Sequence, residues 1–354
     1  MPDFESSLVI KPQVNLSRST AVRMWLLVIC CLLAVTQSAL GDNGASVGVA
    51  FSALVSAILT ELLITCKRHG LKKIKDGSAA ASALILALML PNHIHSVYAA
   101  LGAAFAMVVV KHSFGGLGSN WLNPALAGWL FIRLSWPRAF TEPLAEATVF
   151  EGHLTESVAS YGSAAGRQIG DLLNKYVFSF FGADLPPGYI DLFSLQSPGI
   201  IADRAMLALI LATVAVTAFL ISRVWLSLLY LAVFCLLVRI FGDPGVSGIP
   251  GAEGVLGNGN VILALFSGGT LPAAFFLIVE PSGGAKSVQG GALMALIAAF
   301  LGFAFRYFGG ELYGCFYAAA LVNAFTPMLC RAERLLFSDG ITYTGRFASK
   351  GGKA

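Results

Sequence analysis

The sequence predicts an all-α polytopic membrane protein, with about ten transmembrane helices in two inverted five-helix repeats and with broken helices. Three observations predict it. The 354-residue chain is 56% apolar and only 12% charged, against about 25% charged in soluble domains. Its apolar residues fall in blocks close to the ~20 residues that cross a bilayer. Gly-rich breaks inside 108–136 and 266–281 interrupt or adjoin such blocks, and open backbone persists in lipid only where it lines a buried site.

The expected spans are 22–40, 46–66, 76–91, 96–111, 123–136, 201–221, 224–241, 260–280, 289–308 and 311–330. The third and fifth are short and read as half-helices or tilted spans. Residues 1–21 are polar, and 22–40 is too long for a signal-peptide core and lacks a clear cleavage site, so the first helix is expected to stay. This gives a cytoplasmic N-terminal segment (1–21), a first five-helix repeat (22–136), an extracytoplasmic loop (137–200), a second repeat (201–330) and a basic cytoplasmic tail (331–354). Asp76 is placed to cap the third helix. Asn123 is placed to cap the fifth, with Pro124 in its first turn.

Charge sets the orientation. With both termini inside, most of the 23 Lys and Arg residues fall on the cytoplasmic side: Lys67, Arg68, Lys72, Lys73 and Lys75 in one loop, Lys111, Arg223 and Lys286 in others, and Arg331, Arg334, Arg346, Lys350 and Lys353 in the tail. Positive charge is retained in the cytoplasm. The net charge of +4 is therefore a topology signal and does not describe a nucleic-acid surface.

The halves repeat weakly. DGSAAASALILALMLP (76–91) is followed by FGG (114–116) and Asn123-Pro124; SGGTLPAAFFLIVEP (267–281) is followed by FGG (308–310), Asn323 and Pro327. Five helices per copy invert the second relative to the first, and such repeats build midplane sites from interrupted helices. Gly115, Gly116 and Gly118 let backbone approach a flat ring, and the amides of Asn120 and Asn123 carry both donors and acceptors. Ser267, Gly268, Gly269 and Thr270 should unwind a helix and present N–H groups and hydroxyls to a flavin or an ion. Structural duties, a cap at Asn123 and a packing kink at 266–272, compete with those roles. The six cysteines form no CxxC pair and read as small buried hydrophobes. His93 and His95 read as surface residues. No phosphate loop, dinucleotide motif or catalytic triad is visible.

KHSFGGLGSNWLNPALAGW, KDGSAAASALILALMLP, LFSGGTLPAAFFLIVEP and RYFGGELYGCFYAAALVNAFTP together resemble the motif blocks of one family. It contains the D subunit of the Rnf electron-transport complex and the B subunit of the sodium-translocating NADH:quinone reductase. The resemblance runs from about residue 15 to 335 in order and spacing. It implies a flavin-carrying subunit of an ion-translocating oxidoreductase complex in the bacterial inner membrane, not catalytic alone, with ten helices in two inverted repeats like those of urea channels. It implies FMN joined through its phosphate to a threonine by a flavin transferase, and a second, non-covalent flavin, riboflavin, near the FGGLGxNxxNPA block. The partners implied are other subunits of the complex.

The family's attachment motif reads Asp-x-x-Ser/Thr-x-Ala-Thr. Glu142-Pro143-Leu144-Ala145-Glu146-Ala147-Thr148 matches it at the acid, at Ala147 and at Thr148. Thr148 is thus the expected acceptor in a phosphoester, in the outer loop. Glu142 replaces the aspartate, Ala145 replaces the hydroxyl residue, and Glu146 sets negative charge beside the incoming phosphate. The competing reading is a channel or carrier for a small polar solute. A third is an anchor for redox partners that has lost its flavins.

Overall fold

The computed structural model describes residues 18–41, 44–68, 77–113, 122–140, 164–176, 200–205, 208–210, 224–242, 261–278 and 288–337. Among these no strand forms; a single antiparallel bridge joins Pro91 and Ile200. The helices are α1 (Arg18–Gly41), α2 (Ala45–Arg68), α3 (Ser78–Leu88), α4 (Ser96–Phe105) running into a π-helical turn (Ala106–His112), and α5 (Pro124–Ser135). Next come α6 (Ala164–Tyr176), the short α7 (Ile201–Arg204) and α8 (Val224–Phe241). The last are α9 (Val261–Phe266), α10 (Thr270–Pro272) with its π turn (Ala273–Leu277), α11 (Val288–Phe303) with its π turn (Ala304–Phe308), and α12 (Gly314–Phe337).

Most expected spans overlap described helices, whereas of 201–221 only the short α7 and residues 208–210 are described as helical. Among the described residues, two helical stretches, Ala45–Thr65 and Gln289–Phe308, are long and apolar enough to cross a bilayer. Shorter apolar helices cover Met24–Leu40, Ser78–Leu88, Ser96–His112, Trp225–Phe241 and Gly314–Thr326. Large apolar side chains such as Ile29, Leu33, Phe51, Leu63 and Phe300 stand exposed. That surface belongs to a membrane protein, since a soluble chain rarely leaves so much apolar area bare.

Two packing groups follow the chain order. In the first, α2 packs on α3 and α4, α1 on α3, and α4 on α5, and the later α7 joins this group by packing on α1 and α3; in the second, α11 packs on α8 and α12. α5 meets α12 between them. Lipid is as apolar as leucine, so helices in a bilayer associate through close packing. Gly102 and Gly128 provide it at the α4–α5 crossing: a Cβ on Gly102 would lie 2.3 Å from Ile132 Cδ1, and one on Gly128 would lie 2.8 Å from the Gly102 carbonyl. His95, read as a surface residue, caps α4, its Nδ1 accepting from the Val97 N–H at 3.3 Å.

Candidate functional site

Two helix starts share one local construction. At the first, Gly77 takes a left-handed conformation (φ 71°) just before α3. The next residue, Ser78, accepts a hydrogen bond at Oγ from Lys111 Nζ at 2.7 Å. Lys111 sits in the π turn that ends α4. At the second, Gly269 is left-handed (φ 69°) just before α10. The next residue, Thr270, accepts at Oγ1 from Arg306 Nη1 at 3.1 Å. Arg306 sits in the π turn that ends α11. A left-handed glycine, a hydroxyl residue and a cation on a π turn thus recur in the same order. π turns are rare and gather at functional sites. Asp76, expected as the cap of α3, lies outside the described residues.

The two clusters treat their cations differently. Lys111 also donates to Glu61 Oε1 at 2.6 Å, and the pair is buried, with side chains 4% and 6% exposed. Glu61 comes from α2, so α2, the start of α3 and the π turn after α4 meet at one ionic contact. Arg306 is held by carbonyl and hydroxyl oxygens instead. Its Nη1 donates to the carbonyls of Ala264 (2.9 Å) and Ser267 (3.1 Å), and its Nη2 to Ser267 Oγ (2.6 Å). A carboxylate serves the other side of the same turn: Asp203 accepts from the N–H groups of Gly268 and Gly269, each at 3.1 Å. Asp203, Ser267, Thr270 and Arg306 are all buried.

The clusters also sit at different ends of α3. Ser78 begins α3 in the first. The segment carrying Asp203 is tied past its other end, where the Ile201 N–H donates to the Leu90 carbonyl at 3.0 Å.

Asn123 does what a cap does. Its Oδ1 accepts from the N–H groups of Ala125 (2.9 Å) and Leu126 (3.4 Å), and its Nδ2 donates to the Phe276 carbonyl at 3.3 Å. The last bond ties α5 to the π turn after α10, across the two packing groups. A cavity of about 480 Å³ lies near this seam, lined by Leu122, Leu130, Phe305, Leu321 and Ala324, with Glu311 and Tyr317 as its polar members. Arg133 binds both of those, Nη2 to Glu311 Oε2 at 3.1 Å and Nε to Tyr317 Oη at 3.2 Å.

Of the residues singled out by sequence, Asn123, Ser267, Gly268, Gly269 and Thr270 are described. The structure brings the last four together around Asp203 and Arg306. Gly115, Gly116, Gly118, Asn120, Glu142, Ala147 and Thr148 lie outside the described residues. Sequence reasoning missed Glu61, Ser78, Asp203 and Arg306 as site residues and treats Lys111 only as a topology charge. The overlooked signal is a single ionisable residue inside an apolar run, as in LTELL, VVVKHSF and FAFRYF. Such residues in membrane spans face the interior and pair.

Residues 8–335 match the model of the NQR2, RnfD, RnfE family. The chain belongs to that family. Among its relatives is the D subunit of the Na⁺-translocating ferredoxin:NAD⁺ oxidoreductase complex of Acetobacterium woodii, 26% identical over 336 residues, 94% of each chain. Another is the D subunit of the ion-translocating oxidoreductase complex of Shewanella sediminis, 25% identical over 90% of this chain and 93% of that one. A third is the D subunit of the proton-translocating ferredoxin:NAD⁺ oxidoreductase complex of Clostridium ljungdahlii, 25% identical over 90% of this chain and 91% of that one. The relatives' names differ in the ion moved and agree on the subunit.

Proposed function

We propose that the chain is the flavin-bearing D-type subunit of an ion-translocating electron-transport complex in a bacterial inner membrane, with both termini in the cytoplasm. The observation that carries this reading is family membership across residues 8–335, with relatives named as D subunits along nearly the whole length. Partners are the other subunits of such a complex and the transferase that loads FMN. Two inverted five-helix repeats are supported by the paired Gly77–Ser78–Lys111 and Gly269–Thr270–Arg306 clusters and by their placement about opposite ends of α3.

Thr148 is the residue proposed to hold FMN. A phosphoester needs a hydroxyl, and the spacing from Glu142 through Ala147 to Thr148 supplies it. Bound there, the flavin accepts and releases electrons, and the chain sets its position and surroundings. A second, non-covalent flavin is proposed beside Asn120 and Gly115, Gly116 and Gly118. Asn123 engages both ends of its amide within the chain, so its part there is to fix the start of α5. The polar groups of Ser267–Thr270 are likewise engaged internally, which assigns them to holding the second break.

The solute-channel reading requires a continuous polar path. The described polar clusters are closed by the chain's own side chains, and the cavity at the α5–α12 seam is mostly apolar, which favours the electron carrier. Intact mass of the purified chain tests the proposal. A mass increase equal to one FMN joined with loss of water, mapped to the peptide holding Thr148 and lost in Thr148→Val, supports it. A colourless chain without added mass, from cells able to load flavin, overturns it.

A further inference from the structure

We propose that Asp203 and Arg306 act as a tethered ligand pair that shuts the second helix break from within. Interrupted helices in membrane proteins leave two sets of unmet groups: N–H donors where one half begins and carbonyls where the other half ends. Transporters fill these with solutes and ions. Here the chain fills both. The Asp203 carboxylate takes the two N–H groups of the left-handed pair Gly268 and Gly269, one oxygen to each. The Arg306 guanidinium takes the carbonyls of Ala264 and Ser267 and both hydroxyls, those of Ser267 and Thr270. Negative charge meets donors and positive charge meets acceptors, so each ion is solvated by the turn it holds.

Space is closed as well as polarity. A Cβ on Gly268 would lie 2.5 Å from the Leu312 carbonyl and 3.0 Å from Arg306 Nη1, and one on Gly269 would lie 2.3 Å from Phe316 Cζ. The two glycines leave no room for a side chain, and their N–H groups are already taken by Asp203. The first break is held by a shorter device, one ammonium on Ser78 and Glu61. In a complex whose relatives are named for moving ions, a sealed second break prevents leak through a segment that would otherwise be weak.

Cys315 is a native reporter beside this node. Its Sγ lies 3.7 Å from Thr270 Oγ1, and the residue is wholly buried. The experiment uses full-length protein in native membranes, with Cys30, Cys31, Cys66, Cys235 and Cys330 replaced by alanine. Labelling by a charged, water-borne methanethiosulfonate is followed by mass spectrometry, with L40C, at the exposed end of α1, as the reactive control. Unmutated at the node, Cys315 should stay unlabelled until the chain is denatured. R306A and D203N should raise its labelling rate about tenfold or more, as expected where a buried charged hydrogen bond loses its partner and the segment opens. R306K, which keeps the charge but offers one nitrogen in place of two, should give a rate between those of R306A and the starting protein.

Labelling of Cys315 at the control rate with the node intact would overturn the proposal. So would an inert Cys315 in R306A or D203N that still elutes as a single species in detergent. If R306A does not fold, the near-isosteric D203N decides the matter. The flavin reading stands under either outcome, since it rests on the Glu142–Thr148 motif in the sequence and on no residue of this node.

Discussion

Lys111 Nζ lies 2.6 Å from Glu61 Oε1, and both side chains are buried where α2, α3 and the π turn of α4 meet. The contact joins residues fifty apart in sequence through a charge pair that lipid cannot solvate. Removing one partner leaves the other charge buried and uncompensated, which costs about 3–5 kcal/mol in proteins generally. Lys111→Met and Glu61→Leu should therefore each lower the unfolding temperature in detergent strongly. The double variant should lie closer to the unsubstituted protein than either single one, because no orphan charge remains. Additive losses in the double variant would show that the two side chains act independently.

The α4–α5 crossing depends on missing side chains. Gly102→Ala drives a methyl into Ile132, whose Cδ1 and Cγ1 would lie 2.3 and 2.7 Å away. Overpacking of this kind costs about 1–3 kcal/mol. Ile132→Ala in the same chain should recover part of the loss by returning the space. Thermal unfolding of the two variants checks this, and equal stability of Gly102→Ala and the parent would show that α4 can shift freely on α5.

Asn123 holds a helix start and a link between packing groups with one amide. Asn123→Asp keeps the Oδ1 cap and loses the donor to the Phe276 carbonyl, whereas Asn123→Ala loses both. A cap is worth about 1 kcal/mol, so the alanine variant should lose that much beyond the cost of the link. The aspartate variant should suffer more than a neutral loss of the link would predict, because it sets a buried negative charge 3.3 Å from a carbonyl oxygen. The unfolding temperatures of the two variants, measured side by side, separate cap from link.

Much of the helical order is legible in the sequence because the apolar blocks carry it directly: 224–241 coincides with α8, and 46–66 corresponds to α2 with bounds shifted by one or two residues. The breaks are legible too, because Gly268 and Gly269 next to Pro272 cannot continue a helix unaided. What fills the breaks is not. Asp203 reaches Gly268 across sixty-five residues, and no local pattern announces such a pairing. The π turns at Ala106–His112 and Ala304–Phe308 are equally hidden, since an extra residue in a turn leaves apolar composition unchanged. Lys111 and Arg306 are buried and bonded within the chain, a role that their isolation inside apolar runs marks and a count of loop charges does not address.

At the proposed attachment site the chain departs from the family's motif, and the departure has a direction. Glu146 stands two residues before Thr148 and repels an incoming phosphate, by about 1 kcal/mol at 4 Å in water and more where water is excluded. Glu146→Gln should therefore raise the fraction of chains that carry FMN when the transferase is limiting. Ala145→Ser, which restores the missing hydroxyl, should raise it further if the transferase reads that position. Thr148→Ser should remain loaded, because the acceptor hydroxyl is retained, and Thr148→Val should not. In-gel flavin fluorescence normalised to protein, with intact mass beside it, gives the loaded fraction for each variant. Loading that ignores Glu146 and Ala145 but disappears in Thr148→Val would place the transferase's recognition elsewhere in the loop. Persistence of the signal in Thr148→Val would move the acceptor away from this residue altogether.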